Sequence, residues 1–232
     1  MRRPAQEEMD REDIDRGALE GALRSLIRIN AVGNGAGIFW PALREMILHR
    51  DPGCGPMRVL DVACGGGDLA WRLELRARKE GLELQVDGCD RSPIAVEMAQ
   101  TLNATAGTSG TFFVLDAVKD DMPGDYDVIF SSLFLHHLDN AESEHVLKKM
   151  VDKTRSLVLL SDLIRSRFGL ALVHLATRTL SRSPVVHSDG VTSLLAAYSM
   201  LEVQELIHHV GLFGATLERR WPERFLLTWH KS

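Results

Sequence analysis

Val59-Leu60-Asp61-Val62-Ala63-Cys64-Gly65-Gly66-Gly67-Asp68-Leu69-Ala70 reads, in one continuous run, as a buried strand, a glycine turn and the start of a helix. An aliphatic, β-branched segment closed by an acid and followed by three glycines is the strand-to-helix turn at which open α/β sheets bind a nucleotide-like ligand. Gly65 and Gly67 can take φ > 0 and leave bare backbone for a ligand to lie against, so a side chain at Gly67 is expected to occupy the ligand's path.

Two ligand classes compete for this turn. Gly65-x-Gly67-x-x-Ala70 satisfies the loose dinucleotide pattern G-x-G-x-x-A, which makes a nicotinamide-dependent oxidoreductase one alternative. A pyrophosphate would sit on the helix N-terminus, where free N–H groups favour an anion. Asp68 occupies that first turn and Asp61 closes the strand, and both would repel it. S-adenosylmethionine carries an ammonium and a sulfonium and no phosphate, so an acidic strand end suits it. The pattern Asp61-x-Ala63-x-Gly65-x-Gly67 resembles motif I of the class I S-adenosylmethionine-dependent methyltransferases, where D/E-x-G-x-G-x-G is usual. Ala63 stands at the first glycine, a small-for-small change.

Outward from the turn, Asp68 to Glu80 is expected as a helix and Leu82 to Cys89 as a second strand ending at Asp90. That acid lies where a ribose-binding carboxylate is expected, about 20 residues beyond the glycines. Arg91 follows it, then Ser92 as an N-cap and Pro93 at the first helical position. Thr111 to Leu115 reads as a third strand closed by Asp116-Ala117, Tyr126 to Ser131 as a fourth, and Ser156 to Leu160 as a fifth ending at Ser161-Asp162. The alternation of strand and helix calls for a doubly wound α/β fold with a mostly parallel sheet. The resemblance implies that Asp116, with Ala117, holds the adenine and that the fourth strand, at Ser131 and Ser132, ends beside the methyl donor. It also implies a seven-stranded sheet whose antiparallel last strand comes from the hairpin Ala215–Arg220 and Arg224–Trp229.

Residues 1–50 are expected to form a helical appendage on a methyltransferase domain spanning 51–232. A polar, frayed arm over residues 1–13, with no evident chemistry, leads into two helices separated by Gly33-Asn34-Gly35-Ala36-Gly37, and the helices are expected to pack over the glycine turn. Pro52-Gly53-Cys54-Gly55-Pro56 punctuates the approach to the first strand. Between residues 165 and 198 the alternation lapses into an insertion. Its Phe168–Leu180 helix and its polar loop Ser183–Gly190, with His187, are expected to cover the acceptor.

Methyl transfer from a sulfonium is an in-line displacement from an activated donor, so the protein aligns the reactants and excludes water. A base is needed only for a protonated acceptor. His136, His137, Asp162 and His187 are the candidates, since histidine titrates near neutrality. Phe134-Leu135-His136-His137-Leu138 resembles the L-H-x-L phrase of small-molecule methyltransferases, which implies that His136, ahead of His137, faces the donor. His208-His209 lacks H-E-x-x-H spacing and reads as structural. After the fourth strand comes Ser-Ser-Leu-Phe in place of the Asp/Asn-Pro-Pro-Tyr of amine and nucleobase enzymes, and no acid cluster of the magnesium-holding kind is evident. A small apolar acceptor is the expected class, phenolic, quinone-like or polyketide-like and methylated at a hydroxyl or ring carbon. The chain is similar overall to ubiquinone/menaquinone-biosynthesis-type and polyketide-tailoring methyltransferases. A non-catalytic cofactor-binding scaffold is the alternative outside enzymes.

The 232 residues suffice for one substantial α/β domain. The net charge of -5, with basic residues scattered in ones and twos, offers no stripe to a nucleic acid. Three cysteines without C-x-x-C spacing speak against a disulfide framework or a zinc site, and no metal is expected. The charged N-terminus lacks a signal-type apolar core, and no membrane-spanning run is evident, so a cytoplasmic location is expected. Nothing in the sequence sets the oligomeric state.

Overall fold

The computed structural model describes residue 2 and residues 7–11, 13–51 and 53–231. The arm expected over residues 1–13 and the Pro52 end of the Pro52–Pro56 turn therefore lie partly outside the described residues. The seven strands are β1 (Met57–Val62), β2 (Leu84–Asp90), β3 (Phe112–Val114), β4 (Tyr126–Ser132), β5 (Thr154–Leu163), β6 (Thr216–Arg220) and β7 (Arg224–His230). They form one sheet in the order β3-β2-β1-β4-β5-β7-β6, with β1 to β5 parallel and β7 antiparallel to both β5 and β6.

Strand periodicity divides the core in two. Leu60, Val62, Ile129, Val158 and Leu160 point to one face and meet Val146, Leu147 and Met150 of α5 (Asn140–Lys153) and Val203 and Leu206 of α8 (Met200–Val210). Val59, Val128, Phe130, Leu157 and Leu159 point to the other. There they meet α2 (Gly35–Leu48), α3 (Asp68–Lys79) and α4 (Pro93–Ala106). Because β1, β2 and β4 are covered on both faces, they read as near-continuous apolar runs and not as alternating ones.

Helix starts follow local chemistry. Ser92 accepts the Ala95 N–H and Pro93 opens α4, while Asp139 with Glu142 and Ser199 with Glu202 make capping boxes for α5 and α8. Helix α1 (Arg16–Val32), capped by Asp15, lies over the glycine turn, and a Cβ at Gly66 would meet Ile27 at 3.1 Å. Its companion α2 does not cover the turn. Phe39, Trp40 and Leu43 are buried in the core instead, with the Phe39 and Phe130 rings 4.6 Å apart.

The insertion differs from expectation. Ser183–Gly190 is not a loop but the first half of α7 (Pro184–Ala196), which follows α6 (Arg167–Leu180). Its Asp189 is turned inward: the carboxylate accepts the backbone N–H groups of Glu8 and Met9 at 2.8 and 3.1 Å. The N-terminal arm is thus fastened to α7. Glu7 is buried, and the Arg2 guanidinium donates to the carbonyls of Ala196 and Leu138 while stacking on the Tyr198 ring. The third strand is shorter than expected and the fifth longer, so Ser161 and Asp162 lie inside β5 and not after it. No described helix is long and apolar enough to cross a membrane.

Candidate functional site

A cavity of about 320 Å³ opens at the carboxyl ends of β1, β2 and β4, roofed by α1. Asp61, Ala63, Gly65, Asp90, Arg91, Asp116, Ala117 and Ser132 line it, as do Asp68 and Asn30, which the sequence did not single out as lining residues. Gly67, His136, Asp162 and His187 stand outside that lining. Gly67 is nevertheless constrained: it ends the turn at φ 71, and an added Cβ would lie 2.8 Å from the Ala99 Cβ and 3.0 Å from the Phe112 ring. The glycine therefore answers to helix–sheet packing, and not to a ligand's path as expected. Gly65, at φ 53, is the position left open, with Leu23 the nearest atom at 3.8 Å.

One end of the cavity is acidic and short of donors. Asp61 is 1% exposed and its Oδ2 has no hydrogen-bond partner; Ser132 Oγ is likewise buried and unpartnered, and Asp68 Oδ2 has no hydrogen bond, only the Arg72 guanidinium 3.7 Å away. Burial, then the neighbouring Asp68 and Asp90 carboxylates, pushes the Asp61 carboxyl well above its ordinary range. Burial raises Asp68 to about 6, against the pull of the Asn30 amide at 3.3 Å and the Arg72 guanidinium at 3.7 Å. Orphaned buried carboxylates without donors are a standing deficit. A cationic group resolves it; a pyrophosphate would worsen it. The ammonium and sulfonium of S-adenosylmethionine meet this requirement.

The neighbouring wall suits a nucleoside. Asp90 accepts the Gly65 N–H and the Ser92 N–H, each at 2.9 Å, one on each oxygen, and keeps lone pairs for two further donors. Burial raises its pKa, and those two backbone donors only partly offset the effect. At Asp116, burial is outweighed by the Val118 and Lys119 N–H groups, which hold the carboxylate below its usual range. Ser131, paired with Ser132 in the sequence, is instead structural, its buried hydroxyl donating to the Val62 carbonyl at 2.7 Å.

The histidines are arranged differently from expectation. His136 lies behind the wall, 4% exposed, its Nδ1 2.7 Å from Asp162 Oδ1 and its backbone N–H on Asp162 Oδ2 at 3.0 Å. Its Nε2 faces Glu7 Oε1 at 3.5 Å. Burial would lower the His136 pKa, but the Asp162 and Glu7 carboxylates outweigh it and raise it to about 10. A ring that keeps its proton at neutral pH is no free base. The ring that lines the cavity is His137, with Nδ1 2.7 Å from Asp10 Oδ2 and Nε2 3.9 Å from Glu7 Oε2. His187 is not brought to the site: its Nε2 is engaged by the Ser181 carbonyl at 2.9 Å, since α7 packs its inward face on the arm. Glu7 and Asp10, the residues that complete this end, come from a charged arm whose pattern carries no periodic signal.

The comparisons agree with this geometry. A family model for a methyltransferase domain matches residues 59–156. A ubiquinone biosynthesis O-methyltransferase of Albidiferax ferrireducens is 31% identical over 211 residues, covering 88% of this chain and 77% of the relative. A namesake from Vibrio cholerae is 34% identical over 122 residues, or 52% of this chain and 43% of its own. Among solved structures, an O-methyltransferase family 2 protein from Planctomyces limnophilus superposes with a TM-score of 0.66 at 19% identity, covering 96% of this chain and 64% of that one. Magnesium protoporphyrin IX methyltransferase from Synechocystis, with bound S-adenosylhomocysteine, gives 0.58 at 15% identity, covering 97% and 91%. With a relative of this identity and coverage and a sheet of this order around an acidic, glycine-lined cavity, the chain belongs to the class I S-adenosylmethionine-dependent methyltransferases.

Proposed function

We propose that this enzyme methylates a hydroxyl group on a small, largely apolar aromatic acceptor of the phenolic, quinone-like or polyketide-like kind. The observation that carries the reading is the mixed composition of the cavity lining. Beside the carboxylates, Met9, Leu19, Leu23, Leu26, Phe134 and Leu138 give the lining an apolar share, and His137, Asp10 and Glu142 add polar groups contributed by other segments. Apolar side chains with convergent polar groups among them are the character of a small-molecule site. The O-methyltransferase name of the relative that shares 88% of this chain supports a hydroxyl over a ring carbon.

In this reading Asp61 and Asp68 hold the donor's cationic groups, Asp90 the ribose and Asp116 the adenine. When bound, the sulfonium supplies a methyl group that the acceptor oxygen takes in line as the S–C bond breaks, leaving a neutral thioether. The chain contributes alignment by the glycine turn, exclusion of water by α1 and the arm, and a polar end at His137 toward which the hydroxyl proton leaves. The reading is tested by incubating the full chain with methyl-labelled S-adenosylmethionine and a panel of catechols, quinols and polyphenols. Label on the oxygen of at least one is expected. Binding of S-adenosylhomocysteine without labelling of any phenolic acceptor would refute the acceptor class.

A further inference from the structure

We propose that Glu7, His136 and His137 form a binding site for a divalent first-row transition ion of the zinc type. Two imidazoles and one carboxylate converge, with ligand atoms within 4.8 Å of one another. His136 Nε2 stands 3.5 Å from Glu7 Oε1 and His137 Nε2 3.9 Å from Glu7 Oε2. Those spacings are long for hydrogen bonds. Ligands held tetrahedrally at about 2.0–2.1 Å from a zinc ion stand about 3.4 Å apart, so a small inward shift completes the set.

The surroundings of the cluster supply a second, independent argument. A metal-ligating histidine ordinarily donates its other ring N–H to a carboxylate, which fixes the tautomer and aims the free nitrogen at the ion. Here both histidines do so: Nδ1 of His136 meets Asp162 at 2.7 Å and Nδ1 of His137 meets Asp10 at 2.7 Å. Each Nε2 is thereby turned toward Glu7, and binding the ion displaces the proton that the His136 ring otherwise holds. The carboxylate has its own support, since Ser193 Oγ donates to Glu7 Oε1 and Asp10 is anchored in turn by Arg91 at 2.7 Å. The donor set of two nitrogens and one carboxylate suits zinc and its neighbours; magnesium and calcium prefer oxygen. Three protein ligands also leave a position open.

Because His137 lines the cavity, that position belongs beside the acceptor end. Its use in the reaction, to bind and acidify a phenolic or catecholic oxygen, rests on the acceptor reading above; the binding of the ion does not. The sequence pointed to no metal because it has no C-x-x-C spacing and no evident acid cluster; Glu7, far from the histidines along the chain, adds no ligand spacing to be read.

The test uses the full chain, purified without a polyhistidine tag, with Zn²⁺ and Co²⁺ as probes. Calorimetry should give a single Zn²⁺ site of submicromolar affinity, and Co²⁺ should give visible absorption bands of a nitrogen- and oxygen-ligated ion. Glu7→Gln and His137→Gln should each weaken Zn²⁺ at least 100-fold, and Asp162→Asn about 10–100-fold, the range for loss of an outer-shell partner. S-adenosylhomocysteine affinity should stay within threefold in the Glu7 variant. His208→Gln/His209→Gln, on the exposed end of α8, should leave Zn²⁺ binding unchanged. No Zn²⁺ site and no Co²⁺ bands in the wild-type protein would overturn the proposal, whatever the variants do. So would binding that survives Glu7→Gln and His137→Gln or disappears with the α8 pair. Because donor affinity and labelling of phenolic acceptors are measured separately, failure of the metal site and failure of the acceptor reading give different results.

Discussion

Ala63 sits at φ 58, in the left-handed region where its Cβ crowds the backbone. The motif that this turn resembles has glycine there, and Ala63 adds a local strain that a glycine would relieve. Ala63→Gly should raise stability by about 1 kcal/mol, the left-handed penalty less the added flexibility of the unfolded chain, seen as a Tm increase of about 2–4 °C. Asp68 offers a pH test. Its carboxyl titrates at about 6 when folded and near 3.9 when unfolded. The folded state therefore holds the extra proton between those values. Stability from this group is fully present below pH 4, falls as pH rises to 6, and is about 3 kcal/mol lower above that. Asp68→Asn should reduce, without abolishing, the slope of urea midpoints measured between pH 4 and 7, since Asp189 titrates in the same window. In the wild-type chain, S-adenosylhomocysteine should bind about tenfold more weakly at pH 5 than at pH 7.5, because its ammonium prefers the ionised carboxylate. An affinity flat over that range would remove Asp68 from the donor site.

At the scale of elements, α7 fastens the arm, and none of its residues lines the cavity. Among the described residues, the Asp189 carboxylate is what the Glu8 and Met9 N–H groups donate to, and burial raises its pKa to about 6 against those two hydrogen bonds. Asp189→Ala should cost about 1–3 kcal/mol for the two donors left unpaired. It should also speed deuterium exchange at the Glu8 and Met9 amides while leaving exchange in β1 and β4 unchanged. The insertion was legible as helical over Phe168–Leu180, where apolar spacing repeats. It was misread over Ser183–Gly190, because serine, histidine, aspartate and glycine in a row signal a loop unless another segment arrives to satisfy them.

Across the whole molecule, the proposed function assigns the donor to the sheet and the acceptor to chain segments folded back over it. Asp61, Asp68, Asp90 and Asp116 lie at β1, β2, β3 and the turns that follow them; Met9, Asp10, Leu19 and Leu23 come from the arm and α1. Removing residues 1–13 should therefore leave S-adenosylhomocysteine affinity within about fivefold, roughly 1 kcal/mol, while reducing transfer to any phenolic acceptor at least 100-fold. Equal losses of both, measured by calorimetry and label transfer, would show that the arm serves the fold and not the acceptor.

The run Val59–Ala70, the acid at Asp90 and the capped helix after it determined the sheet, its parallel sense and the donor end of the site. Those features are local: strand, glycine turn and carboxylate follow one another within a few residues, and period, capping and spacing can be read along the chain. The hairpin that closes the sheet was legible for the same reason. Tertiary structure alone decided that His137 and not His136 meets the cavity, that Gly67 answers to Ala99 and Phe112, and that Glu7 and Asp10 reach the histidines. Each of these depends on which distant segment is buried against which. Sequence spacing carries no record of a contact between residue 7 and residue 136, whose cost in ordering the arm is offset by Asp189, Ser193 and the two histidines together.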